Sequence, residues 1–255
     1  LVRLEAAMDP VAQRLRAHPH VFHPEVGPEL AQGVVLARNL GRLPIMGGNR
    51  VELLGIYQDS INRLAADIDQ AQHHVHLLYY IFAHATEPVL AALARAIQRG
   101  VACRVLVDAL GSRKLLKQLR PRLAAAGVQL HEMLRTGLFR RYKARTDLRN
   151  HRKIAVIDGR IAYTGSQNLI CPEFKEGITF EEMVVRATGP IALEFQFVFI
   201  ADWYLETEEL LLDTPYFPDP HLAGDSPAQV LPSGPGYAPQ ANKRLVLALI
   251  HGARS

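Results

Sequence analysis

Between residues 150 and 168 the chain reads Asn-His-Arg-Lys-Ile-Ala-Val-Ile-Asp-Gly-Arg-Ile-Ala-Tyr-Thr-Gly-Ser-Gln-Asn. His151 and Lys153 are two apart, so on a strand both side chains point to one side of the sheet. Asp158-Gly159 favours a tight hairpin that returns the next strand beside the first. Gly165, Ser166 and Asn168 then fall just past the end of that strand, facing the same pocket. Gly165 permits close backbone approach, and Ser166 and Asn168 supply a hydroxyl and an amide donor. Such a group suits a tetrahedral phosphate. A neutral imidazole acts near pH 7 as nucleophile or general acid. An ammonium with hydroxyl and amide donors stabilises the non-bridging oxygens as charge builds on them. No metal or other cofactor is required, and no ligand spacing such as HExxH occurs. Singly, these residues are common on exposed strand faces and in loops; the argument rests on the joint pattern.

The elements around the motif predict an α/β fold: a mixed β-sheet with helices on both faces. A strand at 50–54 opens the domain. Ile61, Leu64, Ile68 and Ala71 then recur at helical spacing over 57–72. Apolar runs at 75–82, 102–107 and 128–133 read as strands. They are separated by helices at 88–98 and 112–126, each closed by a glycine, Gly100 and Gly127. This alternation implies parallel strands joined by right-handed crossovers. The hairpin of 153–157 and 161–164 follows, then a strand at 183–187 and a long helix after Pro190. Residues 1–49 read as an irregular segment with a helix near 11–17. Residues 213–240 hold seven of the sixteen prolines and read as a linker. In the helix expected over 243–254, Val246, Ile250 and Ala253 repeat the spacing of Leu64, Ile68 and Ala71. That is the pattern expected at the start of a second, truncated repeat at 241–255.

Composition bounds the partners only loosely. The 255 residues carry a net charge of +4, with pI near 9.2. This suits an anionic partner such as a phosphate, nucleic acid or acidic lipid surface. The two cysteines, Cys103 and Cys171, provide neither a disulfide framework nor a thiolate metal site, which fits a reducing compartment. No apolar run reaches the length of a membrane span; residues 191–205, broken by Glu194 and Asp202, read as a buried helix, with Phe195, Phe197 and Phe199 in the core. No signal peptide is visible, and the chain as it stands is expected to be soluble. Because it starts at Leu1 and stops at Ser255 within a helix, it is expected to be a piece of a longer protein.

The arrangement His151-x-Lys153, Asp158, Gly165-Ser166-x-Asn168 resembles the HKD motif of the phospholipase D superfamily, with every defining position present. The run Tyr79-Tyr80-Ile81-Phe82, the segment 182–190, Asp202-Trp203-Tyr204 and Glu206-Thr207 resemble bacterial cardiolipin synthases of the phospholipase D type. The likeness extends over roughly residues 45–212. It implies a phospholipase D-like half-domain at 50–212 and a double displacement: His151 attacks phosphorus, and Lys153, Ser166, Asn168 and Gly165 cradle the phosphate. A second HKD histidine then serves as acid and base. Two phosphatidylglycerol molecules would give cardiolipin and glycerol. Asp158 is implied to be structural, fixing the hairpin. A neighbouring carboxylate orients the histidine; Glu182 is the candidate and Glu181 the competitor.

The departure from the family is one HKD motif where a cardiolipin synthase has two, and no N-terminal membrane segments. The implied partners are phosphatidylglycerol or another anionic phospholipid, a membrane surface, and a second HKD half, in cis or as a homodimer. The implied place is the bacterial cytoplasmic membrane, peripherally. Two alternatives stand beside this reading: a homodimeric phosphodiesterase or nuclease, with nucleic acid the lesser candidate partner, and an incomplete fragment that binds anionic lipid. Arg135 to Lys153 holds eight basic residues, with Phe139 and Tyr142 interleaved. It is expected to be a solvated loop or a funnel for an anionic head group. His74 and His76 fall on one strand face, but with no third ligand they do not predict a metal site.

Overall fold

A computed structural model describes residues 2–253 except 24, 26, 84–85, 114–115, 135–148, 220, 235–236 and 239. The basic stretch with Phe139 and Tyr142 lies almost wholly outside the described residues. The elements are α1 (Val2–Arg16), α2 (Pro28–Gly41), β1 (Met46–Leu54), α3 (Tyr57–Asp69), β2 (His74–Tyr79), α4 (Glu87–Gln98), β3 (Ala102–Asp108), α5 (Leu116–Ala125) and β4 (Gln129–Met133). They continue with β5 (Ile154–Ile157), β6 (Ile161–Gly165), β7 (Val184–Thr188), α6 (Ile191–Thr207), β8 (Ser226–Ala228) and α7 (Ala241–Gly252). Eight strands form one sheet in the order β4-β3-β2-β5-β6-β7-β1-β8. The β2, β3 and β4 strands are parallel, and the pairings from β2 through β5, β6 and β7 to β1 are antiparallel. The sheet is mixed, as expected.

Alternation along β5 divides the core into two layers. Ala155 and Ile157 face a cluster with Ile61, Leu64 and Ile68 of α3 and Val89 and Leu93 of α4. Ile154 and Val156 face the other side, packing with Leu193, Phe199 and Trp203 of α6 and Leu4 and Met8 of α1. Successive strand residues point to opposite faces, so a short apolar strand with helices on both sides serves both cores. Phe197 and Phe199 are core residues, as expected.

Two segments are more ordered than the sequence suggests. Residues 1–49 hold two helices rather than an irregular stretch with one short helix. Pro10 lies inside α1 without ending it, because burial of Leu4, Met8, Ala12 and Leu15 against the sheet's second layer outweighs the local signal. The described residues of 213–240 include a strand and core side chains rather than only a linker. Phe217 and Tyr216 join the α6-side core, and β8 pairs with β1. Proline removes backbone donors but leaves side chains free to pack.

The α6 face of β2 carries an unusual buried pair, His74 and His76, with rings 4.5 Å apart. Gln196 donates to His76 Nδ1 at 2.9 Å and accepts from His74 Nε2 at 3.3 Å. Phe199 and Tyr216 stack on His76. No group of three or more candidate metal ligands occurs among the described residues. Burial lowers the pKa of His74 to about 4, against a smaller opposing pull from Asp158. Burial, with the charges of His74 and Arg104, holds His76 well below its usual value. The unfolded chain therefore takes up protons near pH 6.5 that the folded protein refuses. Stability should fall as pH drops from about 6.5 toward 4, by roughly 1 kcal/mol per pH unit for each histidine. Urea midpoints at pH 7, 6 and 5 read this slope, and His76→Leu should flatten it; an equal slope in the variant would place the effect elsewhere.

Candidate functional site

The β5–β6 hairpin carries the site. At its turn, Asp158 and Gly159 have φ of 53° and 63°, and Arg160 N–H closes onto Ile157 O at 3.0 Å. Two successive positive φ values are what the Asp-Gly dipeptide tolerates. The Asp158 carboxylate accepts the backbone N–H groups of Gln72, His73 and His74, each at 2.8 Å. It pins the turn to the start of β2, at the opposite end of β5 from His151. It is a structural anchor set apart from the reacting groups.

At the other end, Lys153 Nζ lies 2.8 Å from His151 Nδ1, 3.2 Å from Nε2, and donates to His151 O at 2.8 Å. His151 is exposed and Lys153 is buried. Tyr80 backs both: its ring is 4.7 Å from the imidazole and 5.6 Å from the ammonium. Burial lowers the His151 pKa, the Lys153 charge adds to this, and Asp108 and Glu182 oppose it. Burial also lowers the Lys153 pKa to about 8, with Glu182 opposing. The pair is set for a neutral imidazole beside an ammonium at pH 7. The Glu182 charge opposes both shifts.

The remaining motif residues brace the rim. Gly165 passes so close to β7 that a Cβ would stand 2.1 Å from Met183 O, so glycine is needed there. Ser166 Oγ accepts the Met183 N–H at 3.1 Å, which holds the strand entry next to Glu182. Asn168 Oδ1 accepts the Ile81 N–H at 3.0 Å, and Ser112 Oγ accepts the Phe82 N–H at 3.2 Å. Together these fix the loop that presents Tyr80. Thus Ser166 and Asn168, expected as phosphate donors, are seen holding neighbouring backbone. Lys153, Gly165, Tyr163 and Gln167 line a small cavity of about 10 Å³, room for about one water.

Of the supports on either side of His151, the sequence offers Asp202 only within the family-like run Asp202-Trp203-Tyr204, and Asp108 not at all. Asp202, on α6 and 7% exposed, accepts from Asn150 Nδ2 at 3.0 Å and from Arg152 Nη1 at 2.5 Å through the same Oδ2. Asp108 Oδ1 accepts Arg149 Nε at 3.1 Å and Nη2 at 2.8 Å, and Arg149 also reaches Leu134 O. Residues 149, 150 and 152 are thereby anchored on rigid elements, and the side chains of 151 and 153 project from a fixed backbone. Such a site can attack an electrophilic phosphorus and hold its anionic oxygens. The described site brings one histidine, His151, against Lys153.

A family model described as cardiolipin synthase, PLD-like domain, matches residues 64–203. Cardiolipin synthase A of Proteus mirabilis (strain HI4320) is 36% identical over 219 residues, which covers 81% of this chain and 45% of that protein. Cardiolipin synthase A of Yersinia pestis bv. Antiqua (strain Angola) is 34% identical over 220 residues, with the same coverage. The chain thus spans a little under half the length of the curated relatives it matches. Among solved structures, Nuc from Salmonella typhimurium, a phospholipase D family member, aligns with a TM-score of 0.49 and 19% identity. That alignment covers 62% of this chain and 96% of Nuc.

Proposed function

The chain belongs to the phospholipase D-like family of cardiolipin synthases, and from that premise we propose that it supplies the nucleophilic half of a phosphatidyl-transfer site. The observation that carries the reading is the His151–Lys153 contact at 2.8 Å on an anchored strand end. A ring nitrogen of His151 attacks the phosphorus of one phosphatidylglycerol. The bond to the glycerol oxygen breaks, and a second HKD histidine, carried by the other half of the enzyme, protonates the departing glycerol. That histidine then takes the proton from the glycerol hydroxyl of a second phosphatidylglycerol. The resulting oxygen attacks the phosphohistidine, giving cardiolipin and freeing His151. Lys153 offsets the charge on the non-bridging oxygens. Glu182 holds proton affinity at both groups, and Ser166, Asn168 and Gly165 shape the phosphate cradle. No cofactor takes part.

The substrate reading places the chain against the face of an anionic bacterial membrane. No helix among the described residues is long and apolar enough to cross one. To test the reading, the purified chain is given phosphatidylglycerol vesicles alone and together with the remaining half of the Proteus mirabilis relative. Cardiolipin and glycerol should appear in equal amounts only in the mixture. Cleavage of DNA by the chain, with no cardiolipin formed in the mixture, would overturn the reading.

A further inference from the structure

A second and larger cavity lies on the other face of the sheet, between α1, the turn after α2 and the C-terminal part of α6. Its volume is about 340 Å³. Its floor is Leu4, Met8, Ala12, Leu43, Phe197 and Ala201, and Leu205, 41% exposed, stands at its rim. Every charged group in the lining is already paired. Arg42 meets Glu5 at 3.3 Å, Arg16 meets Asp9 at 3.5 Å, and Asp202 holds Asn150 and Arg152. What the cleft offers a ligand is therefore hydrocarbon surface with no uncompensated charge.

Its position ties it to the reaction. Asp202 in its wall grips the residues on either side of His151, and Arg152 lies over the ring of Tyr237, another wall residue, at 5.7 Å. The cavity at Lys153, of about 10 Å³, has room for about one water, while the α1–α6 cleft, of about 340 Å³, lies within the 300–1,000 Å³ range of ligand pockets. The first is too small for a phosphate, so a phospholipid meets His151 on its exposed side, and its hydrocarbon needs an apolar surface elsewhere. From the shared wall, the apolar floor and the paired charges, we infer that the α1–α6 cleft receives one acyl chain of the phospholipid whose phosphate meets His151. This rests on the phosphatidyl-transfer reading and assigns a place to the lipid's apolar part. The chain passes Arg152 and lies along α6, where Ala12 and Ala201 leave room for it.

Titration calorimetry with octyl, decyl and dodecyl phosphate, each kept below its micelle concentration, tests this on the chain itself. Affinity should rise roughly fourfold per added methylene, the gain for moving a CH₂ from water to an apolar surface. Ala12→Phe, which fills the cleft, should erase the length dependence. Leu205→Glu, at the rim and remote from the core, should weaken dodecyl phosphate at least tenfold, so a poorly folded Ala12 variant does not leave the matter open. His151→Ala should keep the length dependence. Unchanged length dependence in both cleft variants would overturn the acyl-chain site. Length dependence that is lost in the cleft variants, beside a His151 that forms no phosphoryl adduct, would instead leave the cleft standing and remove the transfer reading.

Discussion

Mixed with bis(p-nitrophenyl) phosphate at pH 7, the chain should release a burst of about one equivalent of p-nitrophenolate and then stall, as a trapped covalent intermediate requires. His151→Ala should slow that burst by roughly 10⁴-fold or more. The substrate is chosen for what this half-site contains. Nitrophenolate leaves without a proton, so the general acid that the proposed mechanism places on the other half is not needed for the first displacement. The second displacement needs a base poised opposite the phosphohistidine to activate water, a role that the proposed mechanism gives to a second HKD histidine on the other half of the enzyme. The adduct should persist and appear in intact-mass spectra as a nitrophenyl phosphoryl group on His151. Normal turnover by His151→Ala, or an adduct mapped to another residue, would remove His151 as nucleophile.

The pH profile of the same burst separates the two cationic groups. His151 attacks only when neutral, and burial lowers its pKa from the usual 6.5, so the acid limb of the rate should lie below that of a free imidazole. Lys153 stabilises the phosphate only when protonated, and its pKa is lowered to about 8. The rate should therefore decline above pH 8. Glu182 raises the proton affinity of Lys153, so Glu182→Gln should move the alkaline limb to lower pH. If Glu182 serves only to fold the β7 entry, the limb stays where it is and the amplitude alone changes.

Much of this site is local in the chain, which is why the sequence exposes it. His151 and Lys153 share a face because strands alternate. Asp158-Gly159 marks the turn because both positions need positive φ, and Gly165 is required by a backbone approach that any side chain would block. The supports are another matter. Asp202 is fifty positions from Arg152, and Asp108 is forty-one from Arg149. Pairings at such separation have no period or spacing to betray them. The same holds for the N-terminal helices and the described residues of 213–240, where local composition points to irregular chain and tertiary burial decides otherwise. Ser166 and Asn168 are legible by position, but their bonds to Met183 and Ile81 emerge only once β7 and the loop after β2 are in place.

Asp67→Ala should be among the most damaging single changes in the fold, by about 3 kcal/mol or more. Asp67 lies on α3, 8% exposed. It accepts Arg186 Nε at 2.6 Å and Nη2 at 3.1 Å, and also the Tyr163 hydroxyl. Arg186 Nη1 continues to Glu52 on β1 at 2.7 Å. One carboxylate thereby joins α3 to β6 and β7, and through Arg186 to β1. Its removal strands a guanidinium that is 7% exposed, with only Glu52 left to compensate it. Desolvation of an unpaired charge, not the loss of one attraction, sets the size of the effect. Replacing both partners, Asp67→Leu with Arg186→Met, should therefore recover most of the lost stability, because no buried charge is left behind. Urea unfolding of the two single variants and the double variant measures this; a double variant as unstable as the sum of the singles would refute the buried-charge account. The consequence reaches the chemistry, because Tyr163 lines the cavity that also holds Lys153 and Gly165. Loosening Asp67 frees that wall, so the single variant should also lose burst amplitude at temperatures where it is still folded, and the double variant should regain only part of it, since the Tyr163 hydroxyl has lost its acceptor.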